Sequence, residues 1–452
     1  MKKIISLVLI LAMLIMIPFE ATANQTEEKI EIDLCNLRLD ADAVCNGLEN
    51  EDQFMRAYAA GGKMDNPKDF RICKVDLNEE NLNAVWCEAY AQAVTLMAFH
   101  SSTEKILRSE KSGYIRQKLS NALARNAKID FEHVHICNIM KKAGVPCIIL
   151  KGFGSAIYYP DPLMRSMGDV DFLVDTDDFE LASKALIENG YEATGKSHDV
   201  HDVFLGKVCR CEMHFQPSGI PKGKAGVKVR KYLSDIFEKA RTVQTELGEI
   251  TVPSVFHHGL IILLHMCHHL TGDGLGLRHL CDWAVYLSTV GEDEFLRMFE
   301  NVLKDIGLWE FAKTMTFISC EYLGLPGMDW ARDTDKKLAD YILIDIIIGG
   351  NFGQKSADRS HESLLISSKN ENDVSMLRQF FISANSIVYN NWKITQKLKF
   401  LLPLGWIFFG GRYVIRSILG KRPRIRPGKV AKEASERIDI YSGLNLFGED
   451  ME

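Results

Sequence analysis

The segment that most constrains the fold is a short stretch in which acidic and apolar residues alternate. Residues 168–174 have the sequence Gly-Asp-Val-Asp-Phe-Leu-Val. Successive side chains of a β-strand point to opposite faces, so Asp169 and Asp171 share one face of a predicted strand. The apolar residues Val170 and Phe172 share the other face. The pattern therefore predicts a strand with one buried face and one face that carries two carboxylates.

The elements around this strand predict a small mixed β-sheet. Short apolar runs favour strands, and apolar residues at helical spacing favour helices. A turn that contains two glycines follows the first strand and enters a short helix. The predicted elements are a strand at 147–150, a helix ending near 159, a strand at 169–174, a helix at 177–188, and strands at 201–205 and 209–215.

Helical patterns on both sides of this core predict the α+β class: a small mixed sheet flanked by N-terminal helices and a C-terminal helical region. The length of 452 residues is ample for such an arrangement. The predicted organisation is a signal-like apolar segment at 1–23, a mostly helical region at 24–143, the catalytic core at 144–220, a helical region at 221–430 and a tail at 431–452.

A third acid stands on the predicted strand 209–215. Glu212 and His214 share one of its faces, and its cysteine and methionine neighbours share the other. Mg²⁺ prefers oxygen ligands and keeps part of its water shell, so a few carboxylates and a substrate phosphate complete a site. Asp169, Asp171 and Glu212 are therefore the predicted metal ligands and catalytic residues, for one or two Mg²⁺ ions. A solvated acidic pair is the alternative for Asp-x-Asp alone.

The glycine turn supplies candidates for binding phosphate. Backbone N–H groups at a turn that enters a helix can hold phosphate oxygens. Lysine, serine and arginine side chains add charge and hydrogen bonds. The candidate nucleotide-binding residues are Lys151, Gly152, Gly154, Ser155 and Arg165.

These motifs resemble the DNA polymerase β-type nucleotidyltransferase superfamily. In that pattern an apolar-Gly-(Gly/Ser) turn precedes Asp-apolar-(Asp/Glu)-apolar by about a dozen residues, and a third acid follows on a later strand. Here 153–155, a 13-residue gap, 169–172 and Glu212 fit. The segments 149–152, 159–162, 165–174 and 212–215 are more closely similar to the uncharacterised bacterial nucleotidyltransferase family.

The resemblance implies an Mg²⁺-dependent enzyme that transfers a nucleoside monophosphate from an NTP to an acceptor and releases pyrophosphate. The acceptor is open among a protein, an RNA, a sugar and a small molecule, and no metal cofactor other than a divalent cation is expected. One alternative is a catalytically inactive nucleotide- or partner-binding protein of the same fold. Another is an exported or membrane-tethered accessory protein. The net charge of −6 argues against strong non-specific nucleic-acid binding.

Several residues after the core are candidates for an acceptor cleft. His214, His265, Arg278 and Asp282 are placed there, the last two on the resemblance alone. His265 and His269 are four residues apart, a spacing that can bind zinc. The glutamate of the metalloprotease motif is missing, so packed, surface or cleft histidines are the favoured interpretation.

The N-terminus and the cysteines indicate different compartments. Positive residues at 2–3, an apolar run at 4–19 and Ala-Thr-Ala at 21–23 are typical of a signal peptide, with a membrane anchor or a misassigned start as alternatives. This pattern favours export or membrane contact. Nucleotide chemistry and 11 scattered cysteines, an odd number, favour the cytoplasm. The sequence leaves the localisation open.

Overall fold

The structure is a computed structural model. It describes residues 82–100, 113–197, 200–272, 274–353, 394–418 and 441–447, with 38–39, 72–73 and the single positions 355, 385, 388, 389, 392 and 437. The predicted signal-like segment 1–23 and most of the predicted tail 431–452 lie outside the described residues.

A five-stranded mixed sheet forms the centre of the described fold. A parallel pair, β4 and β7, lies inside it, and every other neighbour is antiparallel. The strands are β1 Arg38–Leu39, β2 Ile72–Cys73, β3 Cys147–Ile149, β4 Val170–Val174, β5 Glu192–Ser197, β6 His201–Leu205, β7 Arg210–His214, β8 Arg241–Thr245 and β9 Gly248–Val252. The central sheet has the order β3-β4-β7-β6-β5, while β1–β2 and β8–β9 form separate two-stranded sheets.

The two faces of β4 divide as the alternation predicts. Val170, Phe172 and Val174 are fully buried in the main hydrophobic core. Cys211 and Met213 of β7 belong to the same core and lie beside them in the parallel register. Burying side chains of this size stabilises the fold by about 1.5–3 kcal/mol each, which fixes the register because a one-residue slip would turn the acids into the apolar core.

Helices surround the sheet, and together with it they confirm the predicted α+β class. They are α1 Leu82–Ala91, α2 Thr95–His100, α3 Gly113–Ala143, α4 Phe153–Ala156, α5 Phe179–Glu188, α6 Gly223–Tyr232, α7 Val255–Thr271, α8 Leu277–Val290, α9 Glu292–Ile306, α10 Trp309–Tyr322, α11 Lys336–Gly349, α12 Ile394–Lys397 and α13 Leu402–Ile418. Short 3₁₀ turns occur at 162–164, 176–178, 329–331, 351–353 and 399–401.

Helix α3 covers the core face of the sheet. Its residues Ile129, Ile136 and Met140 are fully buried there. The helix ends where Gly144 takes a positive φ of 75° and Pro146 follows, because a left-handed glycine closes a helix and proline cannot continue it. No break interrupts the 31 residues of α3, which lies in the region predicted to be mostly helical.

The helices that follow the core bring further side chains to the opposite face. The Ser254 side chain accepts a hydrogen bond from the His257 amide and caps the N-terminus of α7. α7 and α8 are densely apolar, and Leu263, Leu280 and Trp283 are fully buried. Among the residues that the structure describes, no helix is both long enough and apolar enough to span a membrane.

Two β elements were not expected from the sequence. β5 is one of the two edge strands of the central sheet and is mostly polar, so it lacks the apolar alternation that identifies a half-buried strand. β8 and β9 form a hairpin inside a region expected to be helical. Only Ile250 and Val252 of this hairpin are fully packed into the core. The β-branched residues of 241–252, with Gly248 at the turn, were the available signal.

A buried acid on α3 gives a test of this packing. Asp130 is 2% exposed, and burial raises its pKa to about 7, against an opposing effect of Arg165. Between about pH 4 and pH 7 the folded protein therefore keeps a proton that the unfolded chain has lost, and stability falls as the pH rises through this window. Wild type should lose about 3 kcal/mol relative to Asp130→Asn between pH 5 and pH 8, measured by urea unfolding.

Asp293→Asn is the matched control, because Asp293 is an exposed acid at the start of α9. Its stability should follow wild type within about 0.5 kcal/mol at both pH values. If Asp130→Asn also follows wild type, Asp130 is ionised in the folded protein at pH 7.

Candidate active site

The three predicted acids meet at the centre of the sheet. In the parallel register of β4 and β7, Asp171 lies directly beside Glu212. Asp169 precedes β4 by one residue and is more open, with 38% of its side chain exposed, against 7% for Asp171 and 11% for Glu212. The carboxylates therefore form a graded cluster, from two mostly buried groups to one that faces solvent.

Two basic side chains, His214 and Arg210, each contact two of the three acids. His214 Nε2 lies 2.9 Å from Asp171 Oδ1 and 3.8 Å from Glu212 Oε2. The Arg210 guanidinium contacts Glu212 and lies 3.5 Å from Asp169 Oδ2. Since one nitrogen reaches two carboxylates in each case, the acids are near neighbours in space.

The three carboxylates change one another's pKa values because they carry like charges. Burial, and then the charge of Asp171 and Asp169, raises the pKa of Glu212 to about 7. Burial and Asp171 also raise the pKa of Asp169. Burial would raise the pKa of Asp171 too, but the Lys151 ammonium and the hydrogen bond from His214 hold it well below its usual range. A site of this kind favours any added cation, because a cation relieves the repulsion.

Lys151 links the glycine turn to the acids. Its Nζ lies 2.9 Å from Asp171 Oδ1 and 3.3 Å from His265 Nε2 on α7. The side chain is 16% exposed. This ammonium group therefore contacts both an acid of the sheet and a histidine of α7.

The turn itself is packed too closely for any residue but glycine. Gly152 has a φ of 63°, and a Cβ there would come 2.5 Å from His133 Nε2. A Cβ on Gly154 would come 2.8 Å from the Ile149 carbonyl oxygen. Both contacts are shorter than real Cβ atoms show. The two glycines therefore allow the chain to turn back onto β3 and to place Lys151 beside the acids.

The amides after the turn are already hydrogen-bonded within the protein. The Phe153 amide donates to His133 Nε2, and the Ser155 amide donates to the Gly152 carbonyl. The Ser155 hydroxyl is buried and lies 3.4 Å from His258 Nε2. The predicted phosphate roles of Gly152, Gly154 and Ser155 stay predictions, and these contacts give the turn a structural role of its own.

Arg165 and Asp282 form a buried ion pair. Arg165 Nε and Nη2 donate to the two carboxylate oxygens of Asp282, each at 2.7 Å, and the Tyr159 hydroxyl donates to the same carboxylate at 2.7 Å. Arg165 is 4% exposed and Asp282 is 5% exposed. This geometry ties the start of β4 to α8. The predicted phosphate contact of Arg165 and acceptor contact of Asp282 stay predictions.

Arg278 is a further cation near the acids, and it has fewer hydrogen-bond partners than Arg165. Its Nη1 donates to the Ser166 carbonyl at 3.2 Å, and its guanidinium lies over the Phe352 ring at 5.4 Å. Its Nε is buried and has no hydrogen-bond partner within the described part of the chain. Burial lowers its pKa, and its charge in turn favours ionisation of Asp169.

Histidines surround this region on two sides. His201 lies opposite His214 in the β6–β7 register, and its Nε2 is 3.4 Å from Glu212 Oε2. On α7 and α8, His265 and His269 lie beside His279. His201 and His279 were not predicted as site residues. For His201 the signal was its strand, because the pairing of β6 with β7 places it opposite His214. His279 reaches the site only through the packing of α8 against α7.

Comparisons with known proteins agree with the motifs. A sequence profile described as "Uncharacterised nucleotidyltransferase" matches residues 78–324, which is more than half of the chain. The chain belongs to this nucleotidyltransferase family. The match extends beyond the sheet to α1–α3 and to α6–α10, so the helices that carry Arg278 and the α7 histidines are part of the family domain.

Other comparisons add little about this nucleotidyltransferase-family protein. No curated protein matches it. A solved structure described as "Structure of tRNA-processing enzyme complex 3" aligns with 69% of this chain and 100% of its own, at 14% identity and a TM-score of 0.18. A TM-score of 0.18 does not indicate a shared fold.

The Arg165–Asp282 pair gives a test of its structural role. Asp282→Ala leaves the Arg165 charge buried without its partner, so the variant should lose about 3–5 kcal/mol of unfolding free energy in urea. Replacing both residues by apolar ones, as Arg165→Met with Asp282→Leu, removes the stranded charge and should cost less than the single change. A double variant as unstable as Asp282→Ala would show that the ion pair itself is not the source of the loss.

Proposed function

We propose that this protein is an Mg²⁺-dependent nucleotidyltransferase that transfers a nucleoside monophosphate from an NTP to an acceptor and releases pyrophosphate. The observation that carries the proposal is the meeting of Asp169, Asp171 and Glu212 on two adjacent strands. Membership of a nucleotidyltransferase family supports the reaction class.

The donor set fits a hard divalent cation. All three acids offer carboxylate oxygens, which Mg²⁺ prefers. Burial, and then repulsion from Asp171 and Asp169, raises the pKa of Glu212 to about 7, and a divalent ion would relieve that repulsion. When bound, Mg²⁺ would neutralise charge on the nucleotide phosphates and orient them for displacement.

The basic residues fit the triphosphate. Lys151 lies within hydrogen-bonding distance of Asp171, and Arg278 lies close enough to favour ionisation of Asp169. Both cations border the acids, where phosphate oxygens would add negative charge. We infer that Lys151 and Arg278 bind the phosphates, and that Arg165, held by Asp282, positions the start of β4 beneath them.

The chemistry then needs one proton acceptor. In the transfer, an acceptor oxygen forms a bond to the α-phosphorus, the bond from that phosphorus to the bridging oxygen breaks, and pyrophosphate leaves with the electron pair. The acceptor gives up a proton when it carries a hydroxyl. Glu212, with His214 and His201 as neighbours, is the carboxylate we assign to receive it.

Label transfer tests the proposal directly. The purified protein, incubated with Mg²⁺, a cell extract and NTPs labelled on the α-phosphate, should label an acceptor. NTPs labelled on the γ-phosphate should label none, because pyrophosphate leaves. Asp171→Asn and Glu212→Gln should each reduce labelling at least about 100-fold, since each removes a metal-binding carboxylate.

Asp177→Asn is the matched control for these variants, because Asp177 is an exposed acid just beyond β4. It should label the acceptor at the wild-type rate. Equal labelling by wild type and Asp171→Asn would contradict the proposal, and transfer of the γ-label would identify a phosphotransferase instead.

A protein that binds nucleotide without turnover is the second candidate. The observation in its favour is that Lys151, Arg210 and His214 already pair with the three acids. In that case Mg²⁺ and an NTP together would raise the thermal unfolding temperature of wild type but not of Asp171→Asn, while no nucleotide label reached any acceptor.

A further inference from the structure

Three histidines form a cluster beside the acids but separate from them. His265 and His269 lie one turn apart on α7, and His279 lies in the first turn of α8. His265 Nε2 and His269 Nε2 are 2.9 Å apart, and one ring nitrogen from each of the three residues lies within 4.8 Å of the other two. Three imidazole nitrogens therefore lie close enough together to bind one ion.

One of these nitrogens lacks a partner. His279 is 2% exposed, and its buried Nε2 has no hydrogen-bond partner within the described part of the chain. A buried polar atom without a partner costs about 1–3 kcal/mol, and a bound ion would remove that cost. The other ring nitrogen, Nδ1, lies 3.3 Å from the Gly276 amide nitrogen, which can donate to it, and 3.3 Å from the Gly276 carbonyl oxygen, to which it can donate. In the tautomer in which Nδ1–H donates to the carbonyl, the Nε2 lone pair is free, which is how ligating histidines are usually held.

Neighbouring groups fix the rings in place. Phe352 packs edge-on against His269, with ring centroids 4.7 Å apart, and against His279 at 5.7 Å. The backbone turn 350–353 that carries Phe352 is held to the α7–α8 connection, where the Phe352 amide donates to the Gly274 carbonyl at 3.2 Å. The histidines are therefore preorganised by the fold rather than gathered by a ligand.

We infer that His265, His269 and His279 bind a divalent metal ion of the zinc type. Zn²⁺ is commonly bound by imidazole nitrogen, and three histidines leave one tetrahedral position for a ligand from outside the chain. Mg²⁺ prefers oxygen, so the nitrogen cluster and the carboxylate cluster select different ions. This site does not depend on the proposed nucleotidyl transfer.

Lys151 is the group that opposes a cation here, since its Nζ lies 3.3 Å from His265 Nε2. The same ammonium lies 2.9 Å from Asp171 Oδ1. An ion on the histidines repels Lys151 toward that carboxylate, where it keeps an ion pair. The metal therefore displaces the lysine from one of its two partners and leaves the other.

Metal titration of the full chain tests the inference. After treatment with a chelator, wild type should take up one equivalent of Zn²⁺, followed by calorimetry, and one equivalent of Co²⁺, followed by the visible absorption of four-coordinate cobalt. His269→Gln and His279→Gln should each weaken Zn²⁺ binding by more than the ~10–100-fold that loss of an outer-shell hydrogen bond costs. Both variants should keep the wild-type circular dichroism spectrum.

Two controls locate the ion. His268→Gln removes an exposed histidine next to the cluster, and Asp171→Asn removes a carboxylate of the acid trio. His268→Gln should bind Zn²⁺ as wild type does. Asp171→Asn should still bind one equivalent of Zn²⁺ but with a lower affinity, because Lys151 is then left with its contact to His265. The inference is overturned if wild type takes up no stoichiometric Zn²⁺ or Co²⁺, if His269→Gln and His279→Gln bind as wild type does, or if only Asp171→Asn loses binding, which would assign the ion to the acids.

Discussion

The parallel pairing of β4 with β7 is the interaction on which the site depends. It places Asp171 beside Glu212 on one face while Phe172 and Met213 are buried on the other. The apolar face supplies the free energy that holds the register, and the acids occupy the positions left on the opposite face. Because a shift of one residue would exchange the two faces, the packing of the core also fixes the positions of the acids.

This arrangement concentrates negative charge in a mostly buried place, and the surrounding helices supply the opposite charge. Lys151 from the glycine turn and Arg278 from α8 approach the acids from elements far apart in the sequence. The buried Arg165–Asp282 pair fixes the approach of β4 to α8. The proposed role of Lys151 and Arg278 in phosphate binding rests on this position beside the acids.

The sequence predicted the parts of the site that follow from local pattern. Alternation in 169–174 and 209–215 was enough to predict the shared face of the three acids and the mixed sheet. It could not predict that Arg165 is held by Asp282, because that contact joins residues 117 positions apart. The polar edge strand β5 and the hairpin β8–β9 were missed because little of their surface enters the core. The third histidine of the α7–α8 cluster was missed because only tertiary packing brings His279 to His265.

Anomalous diffraction from crystals grown with Mn²⁺ and a non-hydrolysable NTP analogue tests the central claim most directly, since Mn²⁺ favours the same oxygen ligands as Mg²⁺. The account predicts an anomalous peak in contact with the carboxylates of Asp169 and Asp171, with the analogue's phosphates beside it and Glu212 on the same side of the sheet. An ordered analogue with manganese bound elsewhere, or a Glu212 side chain directed away from the two aspartates, would contradict it.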